Sequence, residues 1–340
     1  MSDRFAGEAQ VSVNYKQIQI SFKTRFWIVI FRWILKPWLG RVIKASHSKI
    51  SRVQLFLGSR PIRYTAGLSW EYRIINRVPG PVIGDFDNTS KTAILWLHGG
   101  AFVIPASNDA HVPTLARLCR DLDAVGFMPD YRLAPFNRFP ASLDDCERAY
   151  RGLLDLGFDA ERIVVCGDSA GGNLTLGLLQ RIRRHGWPMP ACAVPISPVT
   201  ELGRAHFPPS RGLNARRDPM IPIKAMSMVD DLYAGDWDAS DPELSPLYAD
   251  YTGFPPLFFL AGETEVLLDD SVMAVRQAVA AGVDARVDVW PLMPHAFPLF
   301  ESLLPEAKIA RHDIAAFMRR CLPEEAGAGV AVSPGLRVIK

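Results

Sequence analysis

From Ser69 onward the chain alternates between two kinds of apolar pattern. Short runs rich in aliphatic and aromatic residues, at 70–75, 82–86, 92–97, 124–131, 162–166, 191–196, 256–261 and 285–290, predict eight strands. Several are apolar at every position, as in strands covered by helices on both faces. Between them, 112–121, 142–156, 171–184, 266–281 and 305–321 predict helices. Strand–helix alternation of this kind predicts an α/β fold, with a mostly parallel sheet and helices on both sides.

Two regions break the alternation. Residues 1–60 are basic and aromatic, and residues 200–247, rich in Pro, Arg and Asp, are inserted between the sixth and seventh strands. Excursions of this kind near strand ends predict a lid. The expected organisation is therefore an N-terminal cap segment over 1–60, a catalytic domain over 61–323 with its cap insertion near 200–247, and a Gly/Ala-rich flexible tail over 324–340. In the N-terminal segment Trp27, Ile30, Phe31, Ile34, Leu35 and Trp38 recur at helical spacing, with Arg25, Arg32 and Lys36 around them. Such a helix suits packing over a pocket, and its basic aromatic character also suits contact with a membrane surface.

Charge sharpens that reading. Over the whole chain the net charge is only +2, which gives no reason to expect nucleic acid as a partner. Yet 16–60 holds ten Lys or Arg residues and no Asp or Glu, so the remainder is mildly acidic. The longest apolar run, 26–35, is broken by Arg32 and falls short of the ~20 residues needed to cross a bilayer. Nothing near the start reads as a secretory leader, so a cytoplasmic location is expected. The five cysteines (Cys119, Cys146, Cys166, Cys192, Cys321) lack CxxC spacing and predict neither a disulfide framework nor a metal site. Self-association is left open.

The chemistry concentrates in four places. Gly167-Asp168-Ser169-Ala170-Gly171 is a G-x-S-x-G run between a predicted strand and a predicted helix, the context of a nucleophile elbow. His98-Gly99-Gly100-Ala101-Phe102 directly follows the third strand, where a glycine loop can aim backbone N–H groups at a developing oxyanion. After the seventh strand comes a carboxylate cluster from Glu263 to Asp270, and just past the eighth comes His295. The order serine, acid, histidine suits acyl transfer, in which histidine takes the serine proton and a carboxylate orients the histidine. His98, ahead of the serine in the chain, reads as a loop-shaping residue. His111, His185, His206 and His312 read as structural.

These blocks, together with Asp130-Tyr131-Arg132-Leu133-Ala134-Pro135, Phe139-Pro140-Ala141 and Asp144-Asp145, resemble the hormone-sensitive-lipase group of α/β-hydrolases, the bacterial family IV carboxylesterases. The resemblance spans about 65–320. It implies an eight-stranded core sheet under a helical cap, Ser169 as nucleophile, His295 as base, and oxyanion donors from Gly99, Gly100, Ala101 and Ala170. It further implies hydrolysis of small to medium acyl esters, small-molecule substrates and no metal or organic cofactor. An amidase or lactonase would share these residues, and a non-catalytic ligand receptor on the same fold is the alternative of another class.

Three departures from the family pattern stand out. Ala101 replaces a third glycine and is expected to need a negative φ. Phe136 replaces a glutamate, removing a salt link. Glu265 stands where the family usually carries the aspartate acid, with Asp269 as rival.

Overall fold

The computed structural model describes residues 13–203 and 207–324. The expected His206, the N-terminal residues 1–12 and the tail from 325 onward lie outside the described residues.

Among the described residues, nine strands form one sheet: β1 (Val13–Tyr15), β2 (Trp70–Ile75), β3 (Val78–Ile83), β4 (Ala93–Leu97), β5 (Val125–Phe127), β6 (Ile163–Asp168), β7 (Cys192–Ile196), β8 (Leu257–Gly262) and β9 (Ala285–Trp290). Their order across the sheet is β1-β9-β8-β7-β6-β4-β5-β3-β2. All pairings are parallel except the two that β3 makes, with β2 and with β5. All eight strands expected from the sequence are present. The ninth is the three-residue β1, which adds to the edge of β9 through Val13–Val287, Asn14–Asp288 and Tyr15–Val289 pairs.

The continuous apolar strands explain the layering. Successive side chains point to opposite faces, so Leu95, Val165, Phe259 and Ala261 enter one core while Ile94, Trp96, Cys166 and Phe258 enter the other. In chain order the helices are α1 (Phe22–Ile30), α2 (Lys36–Ile43), α3 (His47–Gly58), α4 (His111–Leu122), α5 (Ala141–Asp155), α6 (Ala170–Arg184), α7 (Ser210–Leu213), α8 (Met226–Tyr233), α9 (Leu268–Ala280) and α10 (Pro305–Cys321). Side chains of α5, α6 and α9 fill the first core; those of α4 and α10 fill the second.

The two excursions are tied to this body and to each other. A π-helical segment, Phe31–Leu35, joins α1 to α2 into one long rod. Ser21 caps α1 by accepting from the Thr24 amide at 3.2 Å, and Glu306 at the start of α10 accepts from the Ser21 amide at 2.6 Å. Phe31 is buried with its ring 5.1 Å from that of Phe300. The Arg32 guanidinium donates to the carbonyls of Arg216 and Arg217, and the Lys36 ammonium to those of Ala215 and Asp218. The insertion is pinned from below by a buried ion cluster, in which Arg211 donates to Asp270 at 2.6 Å and to Glu201 at 3.2 Å. All five cysteines are free thiols. Among the described residues, no helix is long and apolar enough to cross a membrane.

Candidate active site

The turn between β6 and α6 is made by a single residue. Ser169 sits there at φ 55°, ψ −118°, a conformation that L residues seldom adopt. Two glycines make the turn feasible. A Cβ on Gly167 would strike the carbonyl oxygen of Gly171, and one on Gly171 would strike that of Leu97. The Ser169 amide donates to the Ile196 carbonyl at 2.8 Å, which locks the turn to the neighbouring strand.

Beside it runs the loop after β4. Asp168, buried beneath the turn, accepts from the Gly99 amide at 3.1 Å and from the Trp96 indole at 3.2 Å. Its second oxygen meets Nε2 of His111 at 3.2 Å. Because the Ser107 amide donates to Nδ1 of His111, the proton of that imidazole resides on Nε2 and is directed at Asp168. Burial alone would raise the Asp168 carboxyl, but the His111 contact and the other donors outweigh it and hold it below the usual range. The aspartate inside G-x-S-x-G thus joins the turn to the glycine loop, a role that the sequence did not signal.

Two expectations about the loop are corrected. The Gly99 amide is engaged by Asp168 and therefore has no proton left to offer a ligand. Ala101 adopts φ +55°, not a negative value, and Phe102 follows at φ +59°. Both lie in the small left-handed region open to L residues, at roughly 1–2 kcal/mol each. The amides of Val103 and Ile104 both bond back to the Gly100 carbonyl, and Phe102 is fully buried against Tyr233, which holds the strained pair. Among the described residues, no acceptor takes the amides of Gly100, Ala101 or Ala170. His98 is buried and stacked on Tyr131, with its Nδ1 2.7 Å from the Gly99 carbonyl. Burial, aided by His111, pushes its imidazole down to about 4, so it is neutral at pH 7.

The carboxylate cluster separates cleanly. Glu265, fully buried at the turn after β8, meets Nδ1 of His295 at 2.9 Å through Oε2. Its Oε1 accepts from the Ser197 hydroxyl at 2.8 Å and from the Gly262 amide. Ser197 accepts in turn from the Ala296 amide, next to His295. Asp269 turns away and accepts from the Ser210 amide at 2.8 Å, tying α9 to α7. Burial lowers the His295 imidazole, but the Glu265 bond and the charges of Glu265, Asp218 and Asp168 outweigh it and leave the imidazole raised above its ordinary value. With Nδ1 committed to Glu265, Nε2 is the nitrogen left to exchange a proton.

Ser169, His295, Gly100, Ala101 and Ala170 line one cavity of about 210 Å³. Most of its remaining wall is apolar: Leu39 comes from α2, Met220, Ile221, Pro222 and Met226 from the insertion, and Leu299 from beyond His295, while His111, Asp168 and Asp230 add polar groups. Sequence reasoning missed Ser197 and Asp218. The latter accepts from the Val266 amide at 2.8 Å and from the Met220 amide at 2.7 Å, coupling the insertion to the Glu265 turn. Among the described residues, no cluster of His, Cys, Asp and Glu is suited to a metal ion.

The alpha/beta hydrolase fold family profile matches residues 94–299. Esterase LipU of Mycobacterium tuberculosis is 37% identical over 236 residues, covering 68% of this chain and 78% of its own. Carboxylesterase/phospholipase LipF of the same organism is 34% identical over 283 residues, 82% of this chain and 73% of its own. The crystal structure of an esterase from the bacterial hormone-sensitive lipase family superposes with a TM-score of 0.74 at 35% identity, over 84% of this chain and 99% of that one. The fold is thus shared with solved esterases, and the chain belongs to the α/β-hydrolases, in their hormone-sensitive-lipase-like group of carboxylesterases.

Proposed function

We infer that the protein hydrolyses carboxylic esters of small to medium acyl chain through an acyl-enzyme on Ser169. The observation that carries this reading is the 2.9 Å bond from His295 to Glu265 in the same site where Ser169 and His295 line one apolar cavity. In the first step Nε2 of His295 accepts the Ser169 proton as Oγ attacks the ester carbonyl. The negative charge that develops on the carbonyl oxygen is met by the amides of Gly100, Ala101 and Ala170. Each such donor is worth about a hundred- to thousandfold in rate. The imidazolium, steadied by Glu265, then protonates the leaving alcohol. Water, deprotonated by the same imidazole, cleaves the acyl-enzyme and restores Ser169.

The cavity size supports the substrate class. At about 210 Å³ it lies below the volume of drug-sized pockets, which suits a short acyl group better than a long one. The crystal structure of EstE5, 31% identical, was soaked by p-nitrophenyl butyrate. The segments carrying Leu39 and Met220 to Met226 serve as the cap over this cavity.

Ser169→Ala is expected to lower turnover of p-nitrophenyl acyl esters by at least about a thousandfold. It is also expected to abolish labelling by a fluorophosphonate, while the folded far-UV spectrum is unchanged. Retained turnover in the folded variant would remove the mechanism. Parallel anilide and lactone assays on the parent protein decide between ester hydrolysis and its amidase or lactonase alternatives.

A further inference from the structure

The rod formed by α1, the π-helical segment and α2 carries apolar residues on two opposite sides, with cations between them. One side is satisfied: Thr24 and Phe31 are buried, and Trp27 and Leu35 are half-buried against the second core. The opposite side faces outward. Phe22 is 86% exposed, Phe26 54%, Val29 53% and Trp33 74%, at steps of four, three and four residues along the rod. Ile34 at 62% and Trp38 at 40% extend this stripe toward α2. A helix that is hydrophobic on both faces ordinarily has two apolar neighbours, and here one is missing.

The charges around the stripe indicate what the second neighbour is. Lys23, Arg25, Arg32, Lys36, Arg41 and Lys44 flank it, and no acidic residue occurs between Lys16 and Arg60. Among the described residues, no carboxylate lies within ion-pair distance of these six. Arg32 and Lys36 donate to backbone carbonyls, as Lys23 does to that of Ser302; Lys36 is also offset by the charge of Asp218, whereas Lys23 and Arg32 form no ion pair among the described residues. Aromatic side chains at the crest and cations at the margins match an anionic phospholipid surface, whose headgroups meet the cations while the boundary of the acyl chains takes Phe22, Phe26 and Trp33. A second copy of this chain would instead bring the same cations face to face.

We propose that this outer face of α1 and α2 docks the protein on anionic membranes. Leu39, on α2 one residue beyond Trp38, lines the cavity of Ser169, so docking sets the roof of that cavity at the lipid boundary. The proposal stands apart from the ester reaction, because binding can be read on the Ser169→Ala protein.

The test is co-sedimentation of the full chain, as parent and as Ser169→Ala, with phosphatidylglycerol-containing vesicles and with pure phosphatidylcholine vesicles. Binding is expected to the former, weak for the latter, and released by raised salt. Phe26→Ser with Trp33→Ser is expected to reduce partitioning by about tenfold or more, since two exposed aromatics lose their apolar contact. Arg25→Gln with Arg41→Gln is expected to reduce only the phosphatidylglycerol-dependent part, which keeps the test decisive if the first pair misfolds. Turnover of a short soluble ester should be unchanged in both pairs. Equal binding to the two vesicle types, no binding to either, or full binding by both double variants would overturn the proposal. A dimer in sedimentation velocity that the Phe26/Trp33 pair dissolves, without vesicle binding by the parent, would assign the face to a second copy and overturn it equally.

Discussion

Among single residues, the sharpest test lies in the two carboxylates that the sequence left in competition. Glu265→Gln is expected to cost between about a hundredfold and ten-thousandfold in kcat/KM, because the amide loses the charge that steadies the imidazolium. Asp269→Asn, whose side chain serves the Ser210 amide, is expected to stay within about tenfold of the parent. Steady-state rates measured side by side decide this, and a larger loss at Asp269 would reverse the assignment. The pH profile provides a second readout. A protonated imidazole cannot accept the serine proton, so activity falls as pH drops through the His295 value. That value is raised, and the acid limb should therefore lie above the ordinary histidine range near 6.5. Removing the Glu265 charge removes a cause of the raise, so in Glu265→Gln the limb should move to lower pH. An unmoved limb would mean that another group sets it. The sequence favoured Glu265 from its place in the family pattern but did not exclude Asp269. Both residues follow β8 and stand four positions apart, and only the fold decides which of them faces His295. Gly99 was misjudged for a related reason. A glycine in the right loop reads as a donor, but the partner that occupies its amide, Asp168, lies 69 positions away in the chain.

Among elements, the strands that continuous apolar runs marked out were found almost where expected, since each is covered on both faces and every side chain must be apolar. β3 was read too late because Pro79 and Pro81 look like breakers. They fit because both residues face β5, toward which they offer only carbonyls: the Asp130 amide bonds to Pro79 at 2.8 Å and that of Met128 to Pro81 at 3.1 Å. β1 was invisible because three residues carry no usable periodicity. The insertion was legible as an excursion, but its anchor was not. Arg211, 0% exposed, sits between Asp270 and Glu201. Arg211→Met would strand two buried carboxylates and is expected to destabilise the protein by about 3–5 kcal/mol. Denaturant unfolding checks this; a loss under about 1 kcal/mol would mean that water enters and solvates the cluster. Asp270 is already raised by burial against the pull of Arg211, so the destabilisation should shrink as pH falls and the carboxyls take up protons.

For the whole molecule, the cavity is closed by two segments far apart in sequence, and its selectivity depends on how firmly they hold each other. Arg32→Ala with Lys36→Ala removes the cationic contacts between them. These bonds are partly solvated, so the loss belongs at the low end of the roughly 1.5–3 kcal/mol typical of charged hydrogen bonds. The ratio of rates on short and long acyl esters is expected to shift toward long chains by about threefold or more. A rate panel over graded p-nitrophenyl esters measures it, and an unchanged ratio would show that α2 does not restrain the pocket.

The same contacts bear on how such a protein can diversify. Arg32 and Lys36 hydrogen-bond only to the peptide backbone of residues 215–218, with the charge of Asp218 as the one side-chain contribution. The clasp therefore demands only that the turn keep its path, and the identities of the neighbouring Met220, Ile221 and Pro222 remain free variables. A lineage, or a library, can rewrite the wall that touches the acyl chain while the fastening stays intact, so new substrate preferences are open to single substitutions.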